Sequence, residues 1–422
     1  MQIIVCARCK TEAMLVTTIV IVGGGLAGAK AAEALRAQDF DGEVILFGAE
    51  ERLPYERPPL SKEFLAGKKT LPDFTVHDGD WYRDNRIDVR PGTDIDDLDV
   101  SEKSVRLPDG STVAYDKLLL ATGSRSRRLD LPGADADGVH YLRTIDDAQR
   151  LSDAITDTTR VAIVGGGWIG LEVAASARER GAEVTVAEFA PQPLLGALGP
   201  EVAEVFADLH RDHGVDLRTG VEVAEIITEG GAARGLRLAG GDTVDADVVL
   251  IAAGAVPNLE LAEAAGLATA DGGVLVGAGL QSSDPDVFAV GDIANAEHPL
   301  LHTRVRTEHW ANALNQPAVA VTNMLGGSEE YSNLPYFFTD QFDLGMEYTG
   351  LSTGYEQVVF RGDVAGREFV VFWLDGDAHV LAGMQVNIWD QLEGIKELIT
   401  ARATVDTARL ANPDVTLAEL IS

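Results

Sequence analysis

An eleven-residue pattern occurs twice in this chain of 422 residues. Thr18–Gly28 reads TIVIVGGGLAG, and Arg160–Gly170 reads RVAIVGGGWIG. Each copy is an apolar run followed by G-x-G-x-x-G and then an Ala-rich stretch. Each leads to a second apolar run that ends at an acid, EVILFGAE at Glu50 and EVTVAEF at Glu188. Glu50 lies 22 residues after Gly28, and Glu188 lies 18 residues after Gly170. A dinucleotide-binding βαβ unit places its acid about 20 residues on. A lone G-x-G-x-x-G says little. Two copies, each with its strand, helix and acid, predict two independent dinucleotide-binding units.

The physical roles follow from glycine. The first allows a tight turn, the second lets backbone approach a pyrophosphate, and the third lets helix and strand pack closely. The helix N-terminus then offers unpaired N–H groups and a positive dipole end to phosphate. The first unit supplies Gly23, Gly25 and Gly28, with Leu26 and Ala27 opening the helix. The second supplies Gly165, Gly167 and Gly170, with Trp168 and Ile169. Glu188 is expected to accept hydrogen bonds from an adenosine ribose. Phe189-Ala190-Pro191-Gln192 offers no arginine for a 2′-phosphate, which favours NADH over NADPH. Glu50 takes the same role in the first unit, with Glu51 as the alternative. A resident redox group in one unit and a diffusing nicotinamide in the other make a hydride relay, for which FAD and NADH are the natural pair.

A fold class follows: α/β, with two Rossmann-like domains and a C-terminal α+β domain. KLLLATG at Lys117–Gly123, VVLIAAG at Val248–Gly254 and VFAVGD at Val287–Asp292 read as further buried strands ending in small-residue turns. They predict an NAD domain inserted into an FAD domain. The expected divisions are residues 17–122 and 252–332 for FAD, 123–251 for NAD and 333–422 for the last domain. In that last part YFFTDQF, EQVVFRG, REFVVFWL and HVLAGMQV read as short strands, and 390–401 as a helix. Residues 91–110 read as antiparallel edges and connections.

Net charge is −33, which opposes binding to nucleic acid or to an anionic lipid surface. No run approaches the roughly 20 apolar residues that span a bilayer. The only cysteines are Cys6 and Cys9. So few fit a reducing, cytoplasmic compartment, and the lone CxxC lacks the second pair of a structural zinc site. Residues 1–16 read as a disordered leader, and Met14 as a plausible true start. No metal site is expected.

The motifs GGGLAG, RPPLSK, LLLATG, GGGWIGLE, AAGAVPN, FAVGD and RTEHWANALNQ stand in this order from about Thr17 onward. In that order the chain resembles the FAD-dependent, NADH-using ferredoxin reductases of bacterial oxygenase systems, the putidaredoxin reductase-like family, with the glutathione reductase fold. The resemblance implies that Asp292 bonds the ribityl chain of FAD. Arg57 and Lys62 would line the flavin, with Lys62 at its reactive edge. Glu172 would reach toward Lys62 and the nicotinamide. Thr122, Gly123 and Arg143 would contact FAD, Trp310 would sit by the isoalloxazine with Glu308 nearby, and Gly254 would border the nicotinamide. Many relatives carry an acid at the position of Ala49, which leaves the ribose role here to Glu50. From the residues alone, Lys62 also reads as a loop lysine, Trp310 as core and Glu172 as an ordinary helix residue.

Electrons would then leave the flavin singly for an acidic iron–sulfur ferredoxin that feeds a cytochrome P450 or a Rieske oxygenase, the chain acting as a monomer or weak homodimer. Two cysteines are too few to hold such a cluster in the chain itself. With both partners acidic, docking needs a local basic patch, and Arg304 and Arg306 before Trp310 are the candidates. Other basic candidates are Arg125, Arg127, Arg128, Arg52, Lys68 and Lys69. Competing readings are an NADH-sensing flavoprotein of the apoptosis-inducing type and a rubredoxin reductase. A flavin enzyme working through cysteine would need a thiol near RPPLSKEF, and that stretch has none.

Overall fold

A computed structural model of the chain describes residues 17–421. Cys6, Cys9 and Met14 lie outside the described residues. The run TIVIV is β-branched and almost wholly buried, the pattern of a strand covered on both faces of a parallel sheet. It is the middle strand of five. The order is Val287–Ala289, Lys117–Leu120, Thr18–Val22, Glu43–Gly48, Ile87–Pro91, with every neighbouring pair parallel.

The second unit repeats this plan. Arg160–Val164 is the middle strand, flanked by Glu183–Glu188 and then Asp216–Thr219 on one side. On the other side lie Val248–Ile251 and then Val139–His140, again all parallel. In both sheets the strand that leads into the glycine turn pairs with the strand that ends at the acid. The repeat seen in the sequence is therefore a repeat of topology. Ser124–Ser126 and Ala255–Pro257 form an antiparallel ribbon where the chain passes between the two sheets.

The glycine helices are Leu26–Ala37 and Trp168–Glu179, both rich in alanine and largely buried. The close approach is visible at Gly28. A Cβ there would lie 2.1 Å from the Gly23 carbonyl oxygen, so no larger residue fits without moving backbone. Helix Leu26–Ala37 also packs against the long helix Trp310–Met324.

The last five strands form one antiparallel sheet, ordered Tyr336–Gln341, Leu344–Gly350, Val380–Val386, Glu368–Leu374, Gln357–Asp363. Four of these match the four strand-like runs. Leu344–Gly350, LGMEYTG, is the additional one. Helix Leu392–Ala401 packs on the sheet. Within residues 91–110 the chain contributes Asp97–Asp99 and Ser104–Arg106 to a small antiparallel sheet with Thr112–Ala114. No helix among the described residues is long and apolar enough to cross a membrane.

Candidate active site

Neither glycine helix has a side-chain cap. Gly25 and Gly167 stand at the N-cap positions, and no side chain bonds the first-turn N–H groups. A Cβ built on either glycine meets nothing within 4 Å. Each helix therefore opens onto space, with donors and dipole facing outward, as an anion site requires.

From the first of these turns a cavity of about 720 Å3 runs inward, within the range of sites that hold small molecules and cofactors. It brings together residues far apart in the chain. Gly23, Gly25, Leu26, Ala27 and Glu50 line one end, beside Thr122, Gly123 and Arg143. Arg57, Asp292, Glu308 and Trp310 line it too, as do Lys62, Glu172, Trp168 and Ile169. Gly28 lies beneath the turn, in helix–strand packing.

Polar contacts fix this wall. Arg57 pairs with Glu50 at 2.8 Å and donates to the Arg143 carbonyl at 2.5 Å. Tyr55 donates its hydroxyl to Glu50 at 2.5 Å, and burial raises that phenol's pKa. Arg143 pairs with Asp292 at 2.8 Å. Burial and the Arg57 charge lower the Arg143 guanidinium from its ordinary range, while Asp292 acts in the other direction. The Trp310 indole N–H donates to Glu56 at 3.0 Å. Thr122 and Asn258 exchange hydrogen bonds, both at 2.8 Å.

Lys62 and Glu172 meet at 2.8 Å, with side chains only 10 % and 5 % exposed. Lys62 follows the 3-10 turn Pro58–Ser61, and Glu172 stands in the first turns of the second glycine helix. The pair therefore spans the two nucleotide units. Ser61 donates to Glu172 Oε2 at 2.5 Å and Thr339 to Oε1 at 2.6 Å. The Lys62 ammonium lies 5.5 Å from the Phe338 ring centre. A buried ion pair with its remaining lone pairs satisfied in this way meets the condition under which such a pair persists.

Three cavity-lining residues, Ser124, Arg143 and His309, each hold a buried side-chain atom with no partner among the described residues: Ser124 Oγ, Arg143 Nε and His309 Nδ1. Nearly all buried polar atoms are paired in native proteins. Their clustering fits a wall that completes its hydrogen bonding with a bound group. Burial pushes His309 down to about 4, so its imidazole is neutral at pH 7.

The other sequence candidates lie elsewhere. Gly165, Gly167 and Gly170 form the second turn outside this cavity. Glu188 sits beside that turn and accepts from the Gly166 N–H at 2.5 Å and the Ala190 N–H at 2.6 Å. Gly254 has φ +96 and accepts from the Arg127 N–H at 2.9 Å. Arg304 is spent within the chain, donating to the carbonyls of Val276 and Asn295 and pairing with Glu297 at 2.7 Å. Arg306 pairs with Glu308 at 2.8 Å and donates to the Asp271 carbonyl. Ser61 and His309 stand within RPPLSK and RTEHWANALNQ, but the motifs gave them no role, and they gave no sign of Phe337, Phe338 or Thr339. Alternation along YFFTDQ was the available signal, since it sets Phe337 and Thr339 on one face.

The model of the family described as pyridine nucleotide-disulphide oxidoreductase matches residues 17–316. The chain belongs to that family. The oxidoreductase region is followed by a match to the reductase C-terminal model over 336–421. Among its relatives is the ferredoxin–NAD(+) reductase component of an anthranilate 1,2-dioxygenase system of Burkholderia cepacia. It is 42% identical over 399 residues, covering 94% of this chain and 98% of the relative. A putidaredoxin reductase of Pseudomonas putida is 37% identical over 409 residues, covering 96% of each. Among solved structures, the covalent putidaredoxin reductase–putidaredoxin complex matches with a TM-score of 0.91 at 36% identity. That match covers 96% of this chain and 98% of the other. Oxidoreductases of this family and the putidaredoxin reductases use FAD and NADH.

Proposed function

We propose that this chain is an NADH-dependent ferredoxin reductase. It takes a hydride from NADH onto FAD and passes two electrons, one at a time, to an acidic iron–sulfur ferredoxin that serves a cytochrome P450 or Rieske oxygenase. The balance is NADH plus two oxidised ferredoxins giving NAD+, H+ and two reduced ferredoxins. The carrying observation is that the first glycine turn and the Lys62–Glu172 pair line one cavity. That pair is half from the first unit and half from the second glycine helix, so the nucleotides of both units would converge there. The named functions of the relatives, ferredoxin–NAD(+) reductase and putidaredoxin reductase, support the same reading. The cytoplasm is its proposed compartment, and a monomer or weak homodimer its proposed state.

The chain's own groups divide the work. The open N–H groups above Gly25 receive the FAD pyrophosphate, and those above Gly167 receive that of NADH. Asp292, with Arg143 held against it, fixes the ribityl side. Lys62 brings its ammonium to the cavity wall, and Glu172 fixes the direction of that ammonium. Trp310, Trp168 and Phe338 line the same cavity. Bound there, FAD supplies the exchange between two-electron and one-electron chemistry that no side chain here performs. No cysteine occurs after Cys9, so the electrons have no internal disulfide to enter. Glu188 selects NADH by placing a carboxylate where a 2′-phosphate would sit.

Purified protein mixed with NADH or NADPH and a panel of [2Fe–2S] and [3Fe–4S] ferredoxins tests this reading. Bleaching of iron–sulfur absorbance with NADH is expected. Reduction of FAD with no bleaching of any ferredoxin would refute it.

A further inference from the structure

Beyond the cavity, the strand Tyr336–Gln341 carries a line of buried polar side chains into the Lys62–Glu172 pair. Thr339, Gln341 and His210 are all 1 % exposed or less. Thr339 Oγ1 lies 2.6 Å from Glu172 Oε1. Gln341 Nε2 lies 3.2 Å from Thr339 Oγ1, and Gln341 Oε1 lies 2.9 Å from His210 Nε2. His210 is in helix Pro200–Asp212 of the second unit. The line therefore runs from the second unit, through the C-terminal sheet, back to the second glycine helix.

Counting protons gives this line one direction. A threonine hydroxyl has a single proton. Glu172 Oε1, already paired with Lys62, accepts at Thr339, so that proton points at the carboxylate. The other neighbour of Thr339 must then donate, which places the Gln341 amide nitrogen toward it and the amide oxygen toward His210. His210 must in turn donate from Nε2. Its Nδ1 has no partner among the described residues, so a proton there would be a buried, unpaired donor and would leave Nε2 an acceptor facing the Gln341 oxygen. Burial pushes this imidazole down to about 4, which leaves it neutral with one N–H at pH 7.

We propose that Thr339 and Gln341 are positioning residues for hydride transfer: with His210 as the terminal donor, they hold Glu172, and through it the Lys62 ammonium, in the orientation the nicotinamide and flavin require. The proposal rests on the Lys62–Glu172 site described above. It assigns the C-terminal sheet a part in the first half of the reaction, in addition to any part in meeting the ferredoxin. A one-proton chain ending on a carboxylate favours one rotamer of Glu172 over any that breaks it. Loss of one such hydrogen bond, about 1 kcal/mol, corresponds to about a fivefold change in rate.

The experiment joins spectroscopy to single-turnover kinetics on the FAD-loaded protein. Nitrogen-15 NMR of labelled histidines, with His210 assigned through a His210→Gln variant, reads the tautomer. The expected result is neutral His210 protonated on Nε2 at pH 7, and loss of that single tautomer in Gln341→Leu. Thr339→Val is expected to slow flavin reduction by NADH about fivefold with the NADH dissociation constant unchanged, and Thr339→Ser to restore the rate. Gln341→Leu is expected to slow the same step, and serves alone if Thr339→Val does not fold. A proton on Nδ1, or unchanged rates in Thr339→Val and Gln341→Leu, would overturn the proposal. Lys62→Ala run alongside separates the two levels. If it slows reduction while the Thr339 and Gln341 variants do not, only this inference fails. If it too leaves the rate unchanged, the site reading itself fails.

Discussion

Lys62 and Glu172 form a 2.8 Å ion pair between the loop that follows the first nucleotide unit and the glycine helix of the second. Both side chains are almost fully buried. The pair lines the cavity and joins the two halves of the repeat.

Removing one partner should cost more than removing both. Lys62→Ala leaves a buried carboxylate with only two hydroxyl donors, and a broken buried pair costs about 3–5 kcal/mol. Replacing both with Lys62→Met and Glu172→Leu should recover most of that stability. Hydride transfer should stay slow in the double variant. Urea unfolding of the two single variants and the double, beside single-turnover flavin reduction, checks this. A double variant as fast as the wild type would show that the pair only holds the fold.

The two glycines of the first turn should separate folding from binding. Gly25→Ala adds a methyl where nothing lies within 4 Å, whereas Gly28→Ala drives one to 2.1 Å from the Gly23 oxygen. Gly25→Ala should fold with near-normal stability and purify with little FAD. Gly28→Ala should lose stability even as apoprotein. Thermal melts of the apoproteins and flavin content per chain decide the matter.

Glu188 should govern the choice of nicotinamide. Glu188→Ala removes the carboxylate that would bond the ribose, an interaction of about 1.5–3 kcal/mol for a charged acceptor. The preference for NADH over NADPH should fall at least tenfold, mainly through weaker NADH binding. Steady-state kcat/KM for both cofactors measures it.

His210 sets a pH dependence of stability. Its folded-state pKa is depressed from 6.5 to about 4 by burial. The unfolded state then binds more protons between these values, so stability is full above about pH 6.5 and falls as pH drops toward 4. Over that window the single group accounts for about 3 kcal/mol. Urea unfolding at pH 7 and pH 4.5 should show a smaller acid loss in His210→Gln than in the wild type, since the carboxylates that also titrate there are common to both.

Much of this was legible because repeated motifs carry their geometry with them. The glycine spacing fixed two turns, the acids fixed the adjoining strands, and RPPLSK and GLE carried Lys62 and Glu172. Contacts that arise only when distant segments meet were not legible. Thr339 and Phe338 sit in a run whose alternation marks a strand but not what the strand faces. His309 gave no signal because its neutrality comes from burial. The motif that carries Arg304 and Arg306 did not show their partners in the chain, which are nearby carbonyls, Glu297 and Glu308. Strand Leu344–Gly350 was hidden by its two glycines, although Leu344, Met346 and Tyr348 alternate with less buried residues.

The central claim is that hydride enters from NADH and that electrons leave one at a time to an iron–sulfur protein. Anaerobic mixing of the FAD-loaded protein with a single equivalent of NADH, followed by excess oxidised [2Fe–2S] ferredoxin, tests it most directly. Two clusters bleached per NADH consumed is the predicted result. A flavin that stays reduced while every ferredoxin offered remains oxidised would contradict it.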